Sequence, residues 1–107
     1  MRWTVEILSA AVAAEIVALP KDMGARLARL IKVIEEAGFE SLPRDSVKHL
    51  DGKLWELRMT GRDGISRAIY VTASVQRVVI LRAFVKKTQQ TPKRELDIAR
   101  QRAKEVK

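Results

Sequence analysis

"DGKLWELRMTGRDGISRAIYVT", residues 51–72, changes side-chain character with a period of two and carries turn signals at both of its breaks. In its first run Trp55, Leu57 and Met59 alternate with Leu54, Glu56, Arg58 and Thr60, the pattern of a strand with two different faces. Asp51-Gly52 is a two-residue hairpin signal, which pairs Val47–Leu50 with Lys53–Thr60. A second turn at Arg62-Asp63-Gly64 leads into Ile65–Ala73, and Ser74–Gln76 turns the chain again into Arg77–Lys86. Consecutive strands joined by such short turns form an antiparallel meander.

Upstream of the meander the period is helical. After a short strand over Trp3–Leu8, Ser9 can cap a helix with Val12, Ile16 and Leu19 at i, i+4, i+7, ended by Pro20. Asp22 can cap a second helix, with Leu27, Leu30, Ile31 and Ile34 as its apolar stripe and Gly38 as its stop. Downstream, Thr91 reads as the cap and Pro92 as the first position of a last helix striped by Leu96, Ala99, Ala103 and Val106. The order β-α-α-β-β-β-β-α predicts one α+β domain over residues 1–107, with two N-terminal helices packed on a twisted, mainly antiparallel sheet plus a C-terminal helix.

The charge is localised. From Lys53 to Arg94 there are ten basic residues and two acids, Glu56 and Asp63, so the formal net charge of +8 falls in that stretch and the remainder is neutral. Such placement marks a footprint for a polyanion, nucleic acid first among them. There are no cysteines, which excludes a disulfide framework or thiolate metal site and suits a reducing compartment. No apolar run reaches the roughly 20 residues of a membrane span. Glu6 and Glu15 interrupt the apolar start, which therefore reads as folded domain and not as a signal segment. The expectation is a cytoplasmic protein with no membrane association.

Strand parity then nominates a face. In "RVVILRAFVKK", residues 77–87, Val79, Leu81, Ala83 and Val85 form an apolar side, and Val78, Ile80, Arg82, Phe84 and Lys86 a mixed one. Arg58, Arg82, Phe84 and Lys86 are thus expected on a helix-free face of the sheet. Arg67 shares parity with Ile65, Ile69 and Val71, so either a bulge re-aims it or it sits where the strand end loosens the rule. Phe84 and Tyr70 are the aromatics within reach of that face; each is a base-stacking candidate or a core residue, and Tyr70 reads better as core. Lys87, Lys93 and Arg94 extend the basic edge. One histidine, His49, no clustered carboxylates and no glycine-rich phosphate loop leave no ordinary catalytic set, and no metal or cofactor is expected. Guanidinium and ammonium groups remain. They can stabilise charge on a phosphate while the substrate's own 2′-hydroxyl attacks, and a lysine crowded by cations has a lowered pKa and can approach the role of base.

The combination of Leu54–Arg58 (Leu-Trp-Glu-Leu-Arg), Arg67 on the next strand, and Phe84–Thr88 followed by Thr91-Pro92 resembles the HigB-type, phage-associated branch of the RelE/ParE toxin superfamily. The resemblance implies a RelE-like fold and the toxin of a type II toxin–antitoxin system. It implies cleavage of mRNA on the ribosome and neutralisation by a helix-turn-helix, HigA-like antitoxin. By position it assigns catalysis to Arg58, Arg67 and Lys86, and RNA binding to Arg82, Phe84, Lys87, Lys93 and Arg94. The chain departs from its relatives in having Arg82 where they often have His, and in a last helix without Tyr or His. Two other readings share the fold: a ParE-like gyrase poison, and a phage RNA-binding module without catalysis.

Overall fold

Both halves of the period-two stretch are strands. The computed structural model describes residues 2–87 and 90–107, and its elements run β1 (Thr4–Ile7), α1 (Ala10–Val17), α2 (Lys21–Ala37), β2 (Val47–Asp51), β3 (Leu54–Gly61), β4 (Gly64–Ala73), β5 (Arg77–Lys86) and α3 (Lys93–Ala103). Two short 3₁₀ turns, Phe39–Ser41 and Arg44–Ser46, join α2 to β2. Thr88 and Gln89, inside the basic stretch singled out above, lie outside the described residues.

Among the described residues the strands form one sheet in the order β1-β5-β4-β3-β2. The meander β2 to β5 is antiparallel, while β1 runs parallel to β5, with Thr4 opposite Arg77 and Ile7 opposite Ile80. The α1–α2 pair is the long connection that carries the chain from one sheet edge to the other. Ser9 caps α1, its hydroxyl accepting the Val12 N–H at 3.4 Å. In α2, Met23, Leu27, Leu30 and Ile34 recur at helical spacing and are buried. Burying each such side chain stabilises the fold by about 1.5–3 kcal/mol. Asp22 does not cap α2, because the helix starts at Lys21 behind Pro20. Its carboxylate instead accepts the Arg62 N–H at 2.6 Å and holds the β3–β4 turn. Gly61 permits that contact, since a Cβ there would lie 2.7 Å from Asp22 Oδ2 and from Met23 Cγ.

Two cores sandwich the sheet. On one face Leu57, Met59, Ala68, Tyr70, Val78, Ile80 and Ala83 meet α1 and α2. On the other, Leu54, Ile69, Val71, Val79, Leu81 and Phe84 lie under Ala99, Leu96, Ala103 and Val106 of the C-terminal segment. The second face is therefore not helix-free, as the sequence reading expected. The alternation expected for β5 also fails. The register shifts so that Ile69 pairs with Arg82 but Tyr70 pairs with Ile80, leaving Leu81 as an extra residue. Such a bulge flips parity along the strand. It puts Val78, Ile80 and Ala83 on the α1–α2 face, and Val79 and Leu81 under α3.

Candidate nucleic-acid interface

The site lies on the α3 face, at the end of the sheet that α3 leaves open. Strand pairing assembles it: Arg58 of β3 is opposite Arg67 of β4, Arg67 is opposite Phe84 of β5, and Ile65 is opposite Lys86. Directly opposed residues in an antiparallel pair project to the same side. Lys48 joins them from β2, opposite Glu56. The Asp51-Gly52 turn signal places Lys48 wrongly, because Asp51 pairs with Leu54 across a Gly52-Lys53 turn and the register shifts between His49 and Asp51. That irregularity moves Lys48 from the face of Trp55 to the face of Glu56.

Glu56 is the hub, and the sequence reading missed it. Its side chain is 0 % exposed, and one oxygen, Oε2, pairs with Arg67 Nη1 and lies 3.4 Å from Arg58 Nε. The other oxygen, Oε1, accepts the Thr91 hydroxyl at 2.9 Å. Thr91 was expected to cap the last helix, but Pro92 occupies the cap position and Thr91 faces the sheet. Arg67 is 1 % exposed, and burial pushes its guanidinium below the usual arginine range. No bulge re-aims it; it stays in register with Ile69 and Val71, and the carboxylate of Glu56 offsets the cost of burying its charge.

Arg58 is half-buried at 32 % exposure and Lys86 is also half-buried. Lys86 has its pKa lowered, first by burial and then by repulsion from Arg67, Arg58 and Lys48. The single carboxylate of Glu56 thus faces four cations, and the excess positive potential falls on Lys86.

The remaining expected contacts divide. Lys87, Lys93 and Arg94 are exposed. Phe84, a stacking candidate, is instead 8 % exposed, because α3 covers it. Tyr70 is on the opposite face, stacked on Phe39 with ring centroids 5.7 Å apart, and burial raises its pKa. Arg82 is occupied by two carboxylates, donating to Glu95 at 2.6 Å and to Glu15 at 2.7 Å. Among the described residues there is no cluster of three or more His, Cys, Asp or Glu side chains suited to a metal ion, and no helix long and apolar enough to cross a membrane.

Residues 14–104 match the phage-derived protein family described as Gp49-like (DUF891). No curated protein sequence matches the chain. A chain in the crystal structure of the archaeal RelE–RelB complex from Pyrococcus horikoshii OT3 superposes with a TM-score of 0.56 at 27 % identity, covering 79 % of this chain and 96 % of that one.

Proposed function

This chain belongs to the phage-derived Gp49-like family, and from that membership and its RelE-like fold we infer that it is a toxin of the RelE kind, an endoribonuclease acting on mRNA at the ribosome. The observation that carries the reading is Lys86, its basicity depressed beside Arg58 and Arg67 at the open end of the sheet. A lysine made easier to deprotonate can take the proton from a 2′-hydroxyl. The 2′-oxygen then attacks the adjacent phosphorus, and the bond to the 5′-oxygen breaks. A 2′,3′-cyclic phosphate and a 5′-hydroxyl result, the leaving oxygen taking its proton from water.

Arg58 supplies the charge that stabilises the phosphorane as it forms. Arg67 is too deeply buried to touch RNA and acts through Glu56 and through its repulsion of Lys86. Lys87, Lys93 and Arg94 hold flanking phosphates. The groups that face solvent here are cations, which suits charge stabilisation better than the binding of a divalent metal. The Pyrococcus RelE is in complex with RelB, and this chain has by the same logic an antitoxin partner, a helix-turn-helix protein of the HigA type.

The test is induction in bacteria with primer extension on reporter mRNA, wild type beside Lys86→Ala and Arg58→Ala. Growth arrest with new mRNA 5′ ends for the wild type alone is expected, together with relief by the co-expressed antitoxin. Arrest with intact mRNA and gyrase–DNA adducts would overturn the nuclease reading in favour of the ParE-like one.

A further inference from the structure

The cationic surface continues round the sheet edge, onto residues outside the basic stretch of the sequence. β2 begins at Val47, opposite Leu57, so Arg58–Gly61 of β3 run on past it as an open edge. A cavity of about 280 Å³ lies there, between α2, the Pro43–Ser46 turn and β3. Arg26 of α2, Arg44 of the turn, and Arg58 and Thr60 of β3 line it, with Asp45 as its one acid. Arg26 and Arg44 are exposed, and among the described residues neither makes an ion pair. Three guanidiniums around one groove repel each other, and nothing in the fold requires them there. An anion with several acceptor oxygens removes that cost, and a planar guanidinium fork matches phosphate in two hydrogen bonds at once.

We propose that this groove seats a backbone phosphate of the same single RNA strand whose reacting phosphate lies at Arg58 and Lys86. Arg58 belongs to both places, so the strand leaves the reacting centre over the edge of β3 and passes between α2 and the Pro43–Ser46 turn. The seat reads phosphate, not base, and lengthens the footprint without adding sequence preference. It rests on the nuclease reading above but makes a separate demand, that binding respond to residues remote from Lys86.

The experiment compares wild type with the double variant Arg26→Ala/Arg44→Ala, using an uncleavable 2′-O-methyl strand of about 12 nucleotides and a dinucleotide of the same chemistry. Titrations at several salt concentrations give the slope of log affinity against log salt. For the long strand the slope is expected to become shallower by about 1.4, two contacts at about 0.7 each. Dinucleotide binding and the melting temperature are expected to stay unchanged, since both side chains are exposed. A long-strand slope equal in the two proteins overturns the groove alone. A wild type that binds neither RNA overturns the groove and the nuclease reading together. Equal loss for the dinucleotide overturns the separate seat, since Arg26 and Arg44 would then act at the reacting centre.

Discussion

The Thr91 hydroxyl donates to Glu56 Oε1 at 2.9 Å, and through it the segment leading into α3 is tied to the carboxylate that pairs with Arg67. The contact joins two parts of the chain 35 residues apart, at the end of the connector that follows Lys86. Glu56 thus holds the connector with one oxygen and the guanidinium pair with the other.

Thr91→Val keeps the shape and removes the donor. Leaving Glu56 Oε1 without it should cost about 1–3 kcal/mol, as for other buried acceptors that lose their partner. Cleavage should fall more than binding, because a looser Glu56 mis-sets Arg58 and not the outer phosphate contacts. Thermal melting beside single-turnover and binding assays checks this; a Thr91→Val protein cleaving at the wild-type rate would refute the tether.

Removing Glu56 and removing Lys86 should fail in different ways. Glu56→Ala leaves the Arg67 guanidinium buried without its carboxylate, a change that typically costs about 3–5 kcal/mol. Lys86 is half-buried at the open end of the sheet, so Lys86→Ala should fold normally while losing the roughly 10²–10⁴-fold contribution of a general base. Denaturant melts and cleavage rates separate the two. A stable Glu56→Ala protein, or a Lys86→Ala protein of wild-type rate, contradicts the assignment concerned.

The pH profile carries the sign of the Lys86 shift. Its pKa lies below the ordinary 10.5, so cleavage should rise with pH and level off below that value. Lys48 is one of the cations that depress it, and Lys48→Ala should move the inflection towards higher pH with little change in the plateau. Added salt, which screens the repulsion, should move it the same way. For folding, the unfolded chain binds the proton more tightly, so this group favours the folded state increasingly as pH rises from its folded pKa towards 10.5. An inflection indifferent to Lys48 would remove Lys86 from the role of base.

The strands and helices were legible because their periods are clean: Leu57 and Met59, and Met23 to Ile34, are buried where alternation and helical spacing put apolar residues. The site was legible only where parity survives. Arg58 and Lys86 meet on the expected face, while two irregularities hid the rest. The shift before Asp51 concealed Lys48, and the bulge at Leu81 scrambled the apolar set of β5. Phe84 carried no local sign that α3 returns over it. Glu56 looked like one acid among ten bases, and only the fold gives its burial. Arg26 and Arg44 fall in the part of the sequence whose charges cancel, yet the fold brings them to Arg58.

At the other side of the site, β5 runs on past β1 as an open edge, and Glu15 of α1 closes it. Its carboxylate accepts the Ala83 N–H at 3.2 Å and pairs with Arg82 and with Arg102 of α3, whose guanidinium also donates to the Leu81 carbonyl at 2.8 Å. Burial by itself would raise the pKa of Glu15, but the hydrogen bonds from Arg102, the Ala83 N–H and Arg82 outweigh it and hold the pKa below the usual 4.5. A carboxylate with a depressed folded pKa stabilises the fold above its unfolded value, and that stabilisation is lost as pH falls through the folded one. The wild type should therefore lose stability as pH falls below about 4.5, and Glu15→Gln should lose less over the same range while starting from a lower melting temperature at neutral pH. Because an unguarded strand edge pairs with other chains, the variant should also aggregate more readily on warming. Glu15 does not touch the Arg58–Lys86 end, so its RNA cleavage at neutral pH and low temperature should match the wild type. Melting curves from acid to neutral pH, with light scattering, test the whole chain of reasoning; a Glu15→Gln protein with the wild-type acid profile would show that the carboxylate does not hold this edge.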